Sequence, residues 1–144
     1  MGMWSLTPQR SIEAECERRG AAAVIDGCMS ILVDSEVDDD LLWVLAGPAS
    51  QSVIAGREGG RDGYWPRVWA TRGLLYAWDV SAAQAIAATT YDEAWRVREM
   101  AAKVVARHRV EDAFDDMVRL HDDPVTRVRT AAERALMRLT RADG

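Results

Sequence analysis

Six side chains in the middle of this 144-residue sequence are of types that do recognition chemistry: Trp65, Arg67, Trp69, Arg72, Trp95 and Arg96. An indole offers a large flat apolar face with one N–H donor, and a guanidinium offers a rigid fork of donors with a fixed charge. The two types are among those most enriched where one protein grips another. One reading is therefore an aromatic and guanidinium patch for a protein or peptide partner. Trp65 and Trp69 also stand at helical spacing with Val68, which equally describes a packed core, so both readings stand. Trp43 and Trp78 read as core, and Trp4, near the first residue, carries no reading.

Residues for other chemistry are sparse. The two histidines, His108 and His121, each sit alone at the end of a helical pattern, too few for a dinuclear His–Glu site. Cys16 and Cys28 are twelve apart with no Cys-x-x-Cys pair and no neighbouring His, so each reads as a small buried apolar residue. The acidic run 34–40 lacks the internal Gly and closing Glu of a calcium loop, and its last carboxylates suit the N-terminus of a following helix instead. No Gly-rich phosphate loop, nucleophile elbow or Cys–His pairing at motif spacing occurs. The expectation is a non-catalytic chain with no metal and no cofactor.

Net charge is −5, unevenly placed: three basic and nine acidic residues up to Gly56, fifteen and fourteen after it. Neither part has the positive excess that phosphate-backbone binding calls for, which disfavours nucleic acid. No run approaches the eighteen or so apolar residues of a membrane span, and the first ten residues lack a charged leader with an apolar stretch, so a cytoplasmic protein is expected.

The elements that would position these residues all read as helices. Thr7-Pro8 is a start signal and Gly20 a stop, enclosing a helix whose thin stripe, Ile12 and Cys16, predicts a peripheral, half-exposed element. A buried helix over 21–33 follows, then helices over 39–46 and 49–55, with Gly47-Pro48 between them. Residues 56–63 are the most loop-like stretch and the expected hinge. Helices are predicted over 64–78, 81–88, 94–107 and 110–120, and the last opens at Asp123-Pro124. Two of them are copies: Asp92-Glu93-Ala94-Trp95-Arg96-Val97-Arg98 returns as Asp123-Pro124-Val125-Thr126-Arg127-Val128-Arg129. Every matched position is displaced by 31 residues, the mark of a stacked helical repeat whose units cannot each bury an apolar face alone.

An Asp, a Val-Arg pair starting five residues later and an Ala-rich helix, present in both copies, resemble the HEAT repeat of the short bacterial HEAT-like kind. The resemblance is strongest over 92–139. It implies an all-α fold, an α-solenoid of about four helix pairs in one domain over 1–144, with clear repeats 92–122 and 123–141 and degenerate repeats 8–60 and 62–90. It further implies that Asp92, Arg98, Asp123 and Arg129 form ladders between repeats and that Val97 and Val128 pack between paired helices. Pro66 and Trp69 interrupt the pattern in 62–76, where Trp69 occupies the ladder position. In such folds the second helix of each pair lines the binding face, which places the Trp and Arg residues along a groove and implies an adaptor for a protein or peptide. An alkylpurine DNA glycosylase of HEAT-like fold is the alternative the resemblance carries, with Asp62 or Asp92 as its carboxylate, and a lyase-like role on another protein's cofactor is a third. The last helix could cap the array through Arg127, Glu133, Arg134, Arg138 and Arg141, or pair with a second copy, so monomer and homodimer both remain open.

Overall fold

The computed structural model describes residues 7–34, 36–57, 59–60 and 63–141, and these are all-helical, with no strand among them. Among the described residues no helix is long and apolar enough to cross a membrane. Trp4, Asp62 and the charges Glu58 and Arg61 of the expected hinge lie outside them. The chain divides into two units, Met1–Asp79 and Val80–Gly144, each taken here by itself.

In the first unit, α1 (Pro8–Arg19) starts where expected: the Thr7 hydroxyl accepts from the Arg10 N–H at 3.2 Å, and Gly20 ends the helix at φ 95°. α1 is half-exposed, as expected, but its buried stripe is not the expected Ile12 and Cys16. It packs against the helices named next, α2, α3 and α5, and its buried stripe is Ser11, Ile12 and Glu15. Two of those are polar and bring their own partners. Ser11 Oγ donates to the Val44 carbonyl at 2.8 Å, and Glu15 is covered by the forks of Arg18 and Arg19. A buried polar side chain is tolerated when it is hydrogen-bonded. The Arg18 hydrogen bond holds the Glu15 carboxyl below its ordinary value; burial opposes that, and Arg19 reinforces it.

The second helix, α2 (Ala21–Met29), widens into a π turn over Ser30–Asp34. In α3 (Asp39–Ala46) the acidic run does the capping expected of it: Asp38 Oδ1 accepts from the N–H groups of Asp40 at 2.9 Å and Leu41 at 3.3 Å. A 3-10 turn, Gly47–Ala49, leads to the short α4 (Ser50–Ile54), and α5 (Trp65–Tyr76) follows the glycine-rich loop. The core holds Ile12, Ile31, Leu41, Leu42, Leu45 and Leu74, all fully enclosed; each such side chain contributes about 1.5–3 kcal/mol when buried. Two glycines let the backbones close in. A Cβ on Gly27 would lie 2.5 Å from Leu41 Cδ2, and one on Gly73 would lie 2.8 Å from both Cys28 Sγ and Leu45 Cδ2. Cys28 is buried as expected, which pushes its thiol up to about 12; Cys16 is only half-buried.

The second unit comprises α6 (Ala83–Thr89), α7 (Trp95–His108), α8 (Phe114–Leu120) and α9 (Thr126–Thr140), with 3-10 turns Val80–Ala82 and Glu111–Ala113 before α6 and α8. α7 packs against α6 and α9, and α8 against α9. Where α7 meets α9 the core is small-residue, Val97, Ala101, Ala102, Val104 and Val105 against Val128, Ala131, Ala132 and Ala135, while Ile86 of α6 and Met117 and Leu120 of α8 fill the rest. Leu136 and Leu139, which continue the repeat's helical pattern, are only half-buried. α7 and α9 run side by side in the same direction. Their starts are joined by Arg98 and Asp123, and their ends by Arg109, whose Nη2 donates to the Arg141 carbonyl at 3.0 Å. Arg109 closes α7 in the left-handed region at φ 51°.

Candidate functional site

The 31-residue period of the sequence is a period of hydrogen bonds. Asp92 Oδ1 accepts from the Ala94 N–H at 2.8 Å, and Asp123 Oδ1 from the Val125 N–H at 2.9 Å. Both aspartates therefore hold the turn before a helix. The Arg six residues on reaches back to the same turn in each copy: Arg98 Nη1 donates to the Asp92 carbonyl at 2.8 Å, and Arg129 Nη1 to the Asp123 carbonyl at 2.7 Å. Between copies, the Arg98 fork grips the Asp123 carboxylate at 2.8 and 3.2 Å. Burial pushes the Asp123 carboxyl up, but the Arg98 fork and the Val125 N–H outweigh it and leave it below its ordinary value.

The Arg98–Asp123 contact ties the start of α7 to the turn before α9. Trp95, at the first position of α7, is half-buried. The Arg96 guanidinium carbon lies 4.4 Å from its ring centroid and that of Arg127 lies 5.3 Å away, both within the reach of a cation–π contact. Arg127 Nε also donates to Glu99 Oε2 at 3.0 Å, and Lys103 Nζ lies 3.7 Å from the same oxygen. Glu99 is buried while Arg127 remains 65% exposed. The result is an indole flanked by two guanidinium groups at the joint of two helices, its charge tied down by one carboxylate. Such a constellation can stack a flat or apolar group and fork a carboxylate.

Arg127, expected on the outward side of the last helix, is exposed there and also reaches Trp95 and Glu99 of α7. A displacement of 31 carries Arg96 onto Arg127 and so gives both the same station on equivalent helices. A second Arg–aromatic contact went unanticipated: Arg119 lies 3.7 Å over the ring of Tyr91 and donates to Thr90 Oγ1 at 2.7 Å.

The other four candidates belong to the first unit. Trp65 stacks on Trp69 with centroids 5.9 Å apart and an angle of 25°, and leans on Tyr64 at 5.1 Å. Trp65 is half-buried, but Trp69 is 5% exposed, so of the two readings the core one describes it and the groove edge does not. Arg72 sends Nη2 to the Leu45 carbonyl at 2.7 Å, satisfying the last turn of α3, and burial lowers its pKa. Arg67 Nη1 donates to the Gly63 carbonyl at 3.2 Å, holding the approach to its own helix. Trp43 and Trp78, expected as core, are half-buried.

Among the described residues no group of three His, Cys, Asp or Glu side chains is gathered closely enough to hold a metal ion. No protein-family model, no curated protein and no solved structure matches the chain.

Proposed function

We propose that this chain is a non-catalytic interaction module of the HEAT-like helical-repeat type, an adaptor that docks a protein or peptide on the side formed by α7 and α9. The observation that carries this reading is Trp95, half-exposed between Arg96 and Arg127 at the junction of the two repeated helices. The recurrence of the Asp–Arg bonding pattern at an interval of 31 residues supports stacking of the pairs α6–α7 and α8–α9 in the manner of a solenoid. Two free cysteines, one fully enclosed, suit a reducing compartment such as the cytoplasm.

The test is capture from the native cell extract by wild type and by the Arg96→Ala/Arg127→Ala double variant, side by side, with melting temperatures measured for both. Capture by wild type alone at equal stability is the expected result. Equal capture by both forms, or none by either, removes the α7/α9 side from consideration.

A further inference from the structure

Between Val80 and Gly144 eleven basic and eleven acidic residues cancel, yet the structure separates them. On α7 the outward line is Arg96, Lys103 and Arg107, at spacings of seven and four residues and all exposed. On α9 the same line, shifted by 31, is Arg127, Arg134 and Arg138, all exposed, and Arg141 follows the last turn. At about 100° per residue each line stays within roughly 40° of one direction along its helix. Because α7 and α9 run side by side in one direction, the two lines form a double row of cations. Glu99 is the carboxylate between the rows, and Lys103 and Arg127 engage it. Most of the exposed acidic residues lie elsewhere: Glu111, Asp112, Asp115 and Asp122 are on and around α8, while Glu93 precedes α7 and Glu133 lies on α9 off the cationic line.

The double row is not purely charged. Met100 lies beside the α7 line, and Met137, 60% exposed, sits in an open surface depression with Arg134, Arg138 and Arg141. Methionine is the most adaptable apolar side chain, suited to receiving varied apolar groups. A phosphate backbone would gain from the arginines but nothing from the methionines, while Glu99, already engaged by Lys103 and Arg127, bears equally on any anion. A peptide with carboxylates and apolar side chains in alternation matches both kinds of group: guanidinium forks pair with carboxylates, often two bonds at a time, and Met100, Met137 and Trp95 receive the apolar groups. We infer that the partner segment docked on α7 and α9 is an acidic, apolar-studded peptide. This rests on the docking reading above and names the chemistry of what docks.

The experiment is fluorescence anisotropy with labelled peptides of about twelve residues on the intact chain: Asp/Glu alternating with Leu/Phe, the same apolar residues with Ser in place of the acids, and oligoglutamate. A single-stranded oligonucleotide of equal charge completes the set. The first peptide should bind tightest, lose about tenfold or more in affinity between roughly 50 and 500 mM salt, and lose at least about tenfold on Arg134→Glu/Arg138→Glu. The Arg134→Lys/Arg138→Lys variant, with melting temperature checked, should retain most of the binding. A tighter oligonucleotide makes the surface a phosphate binder and overturns the inference. So does the Ser peptide binding equally well, or salt-sensitive self-association in sedimentation that peptide fails to compete. If captured proteins still require Arg96 and Arg127 while no acidic peptide binds, only this inference falls; if neither is seen, the docking reading falls with it.

Discussion

In the unit that ends at Asp79, Trp69 is enclosed and Arg72 uses its fork to close the last turn of α3. In the unit that begins at Val80, Trp95 stands half in solvent and Arg96 and Arg127 reach over it from two helices. The same two residue types thus serve packing in one unit and display in the other. What differs is the company they keep. The first unit builds its core largely from Leu and Ile, where a large indole fills space and an Arg satisfies a stranded carbonyl. In the second, the contact of the repeated helices α7 and α9 is built from Ala and Val, and their matched arginines fall at equivalent exposed positions.

The sharpest way to break this comparison is to truncate the two indoles. Trp69→Ala should cost about 3–5 kcal/mol in urea unfolding followed by circular dichroism, the range for a large aromatic removed from a packed core. Trp95→Ala should cost well under half of that. Equal losses would mean Trp95 is as structural as Trp69.

Next in size is the ladder. Arg98 and Asp123 are both largely buried, and removing one partner of such a pair leaves the other charge stranded. Asp123→Ala should destabilise by about 3 kcal/mol, and Arg98→Met should recover part of that loss when combined with it. Strict additivity in the cycle would show that the pair is a crossing of independent side chains.

The same pair gives a pH dependence of smaller amplitude. The Asp123 carboxyl titrates below its ordinary value of 3.8 in the folded chain. Its contribution is therefore complete above that value and is lost as pH falls through the lower, folded one. Melting temperature should drop on acidification from about pH 5 toward pH 2, and Asp123→Asn should flatten part of that drop. An unchanged acid profile in the variant would assign the sensitivity to Glu15, whose carboxyl is likewise held low, by Arg18, and would place it in the first unit.

Helix positions were legible where one local signal decides them. Asp38 and Gly47 bracket α3 at the expected residues, and Arg98 and Asp123, which the HEAT-like resemblance implied as ladder residues, are hydrogen-bonded. Burial was legible only where the stripe is apolar. The stripe of α1 read as Ile12 and Cys16 where the buried one is Ser11, Ile12 and Glu15, because a polar side chain announces nothing about the carbonyl or guanidinium that will satisfy it. Trp69 could not be resolved because an indole three or four residues from other large side chains fits a core and a groove equally well. The exposure of Arg127 was legible, but its contact with Trp95 and Glu99 was not, because only the folded pairing of α7 and α9 brings those residues to it.

The smallest effect discriminates most finely. Arg127 is mostly in solvent, so its attraction to Trp95 and Glu99 is screened, and Arg127→Ala should change stability by less than about 1 kcal/mol. A double-mutant cycle of Trp95→Leu with Arg127→Ala isolates the ring contact, because Leu keeps apolar volume without an aromatic face; the coupling expected of an exposed cation–π pair is about 0.5–1 kcal/mol. Coupling near zero would leave Arg127 held by Glu99 alone and free to swing its fork to a ligand. Coupling above about 2 kcal/mol would make the joint of α7 and α9 a desolvated, core-like contact, and Trp95 and Arg127 would then belong with Trp69 and Arg72 as packing rather than display.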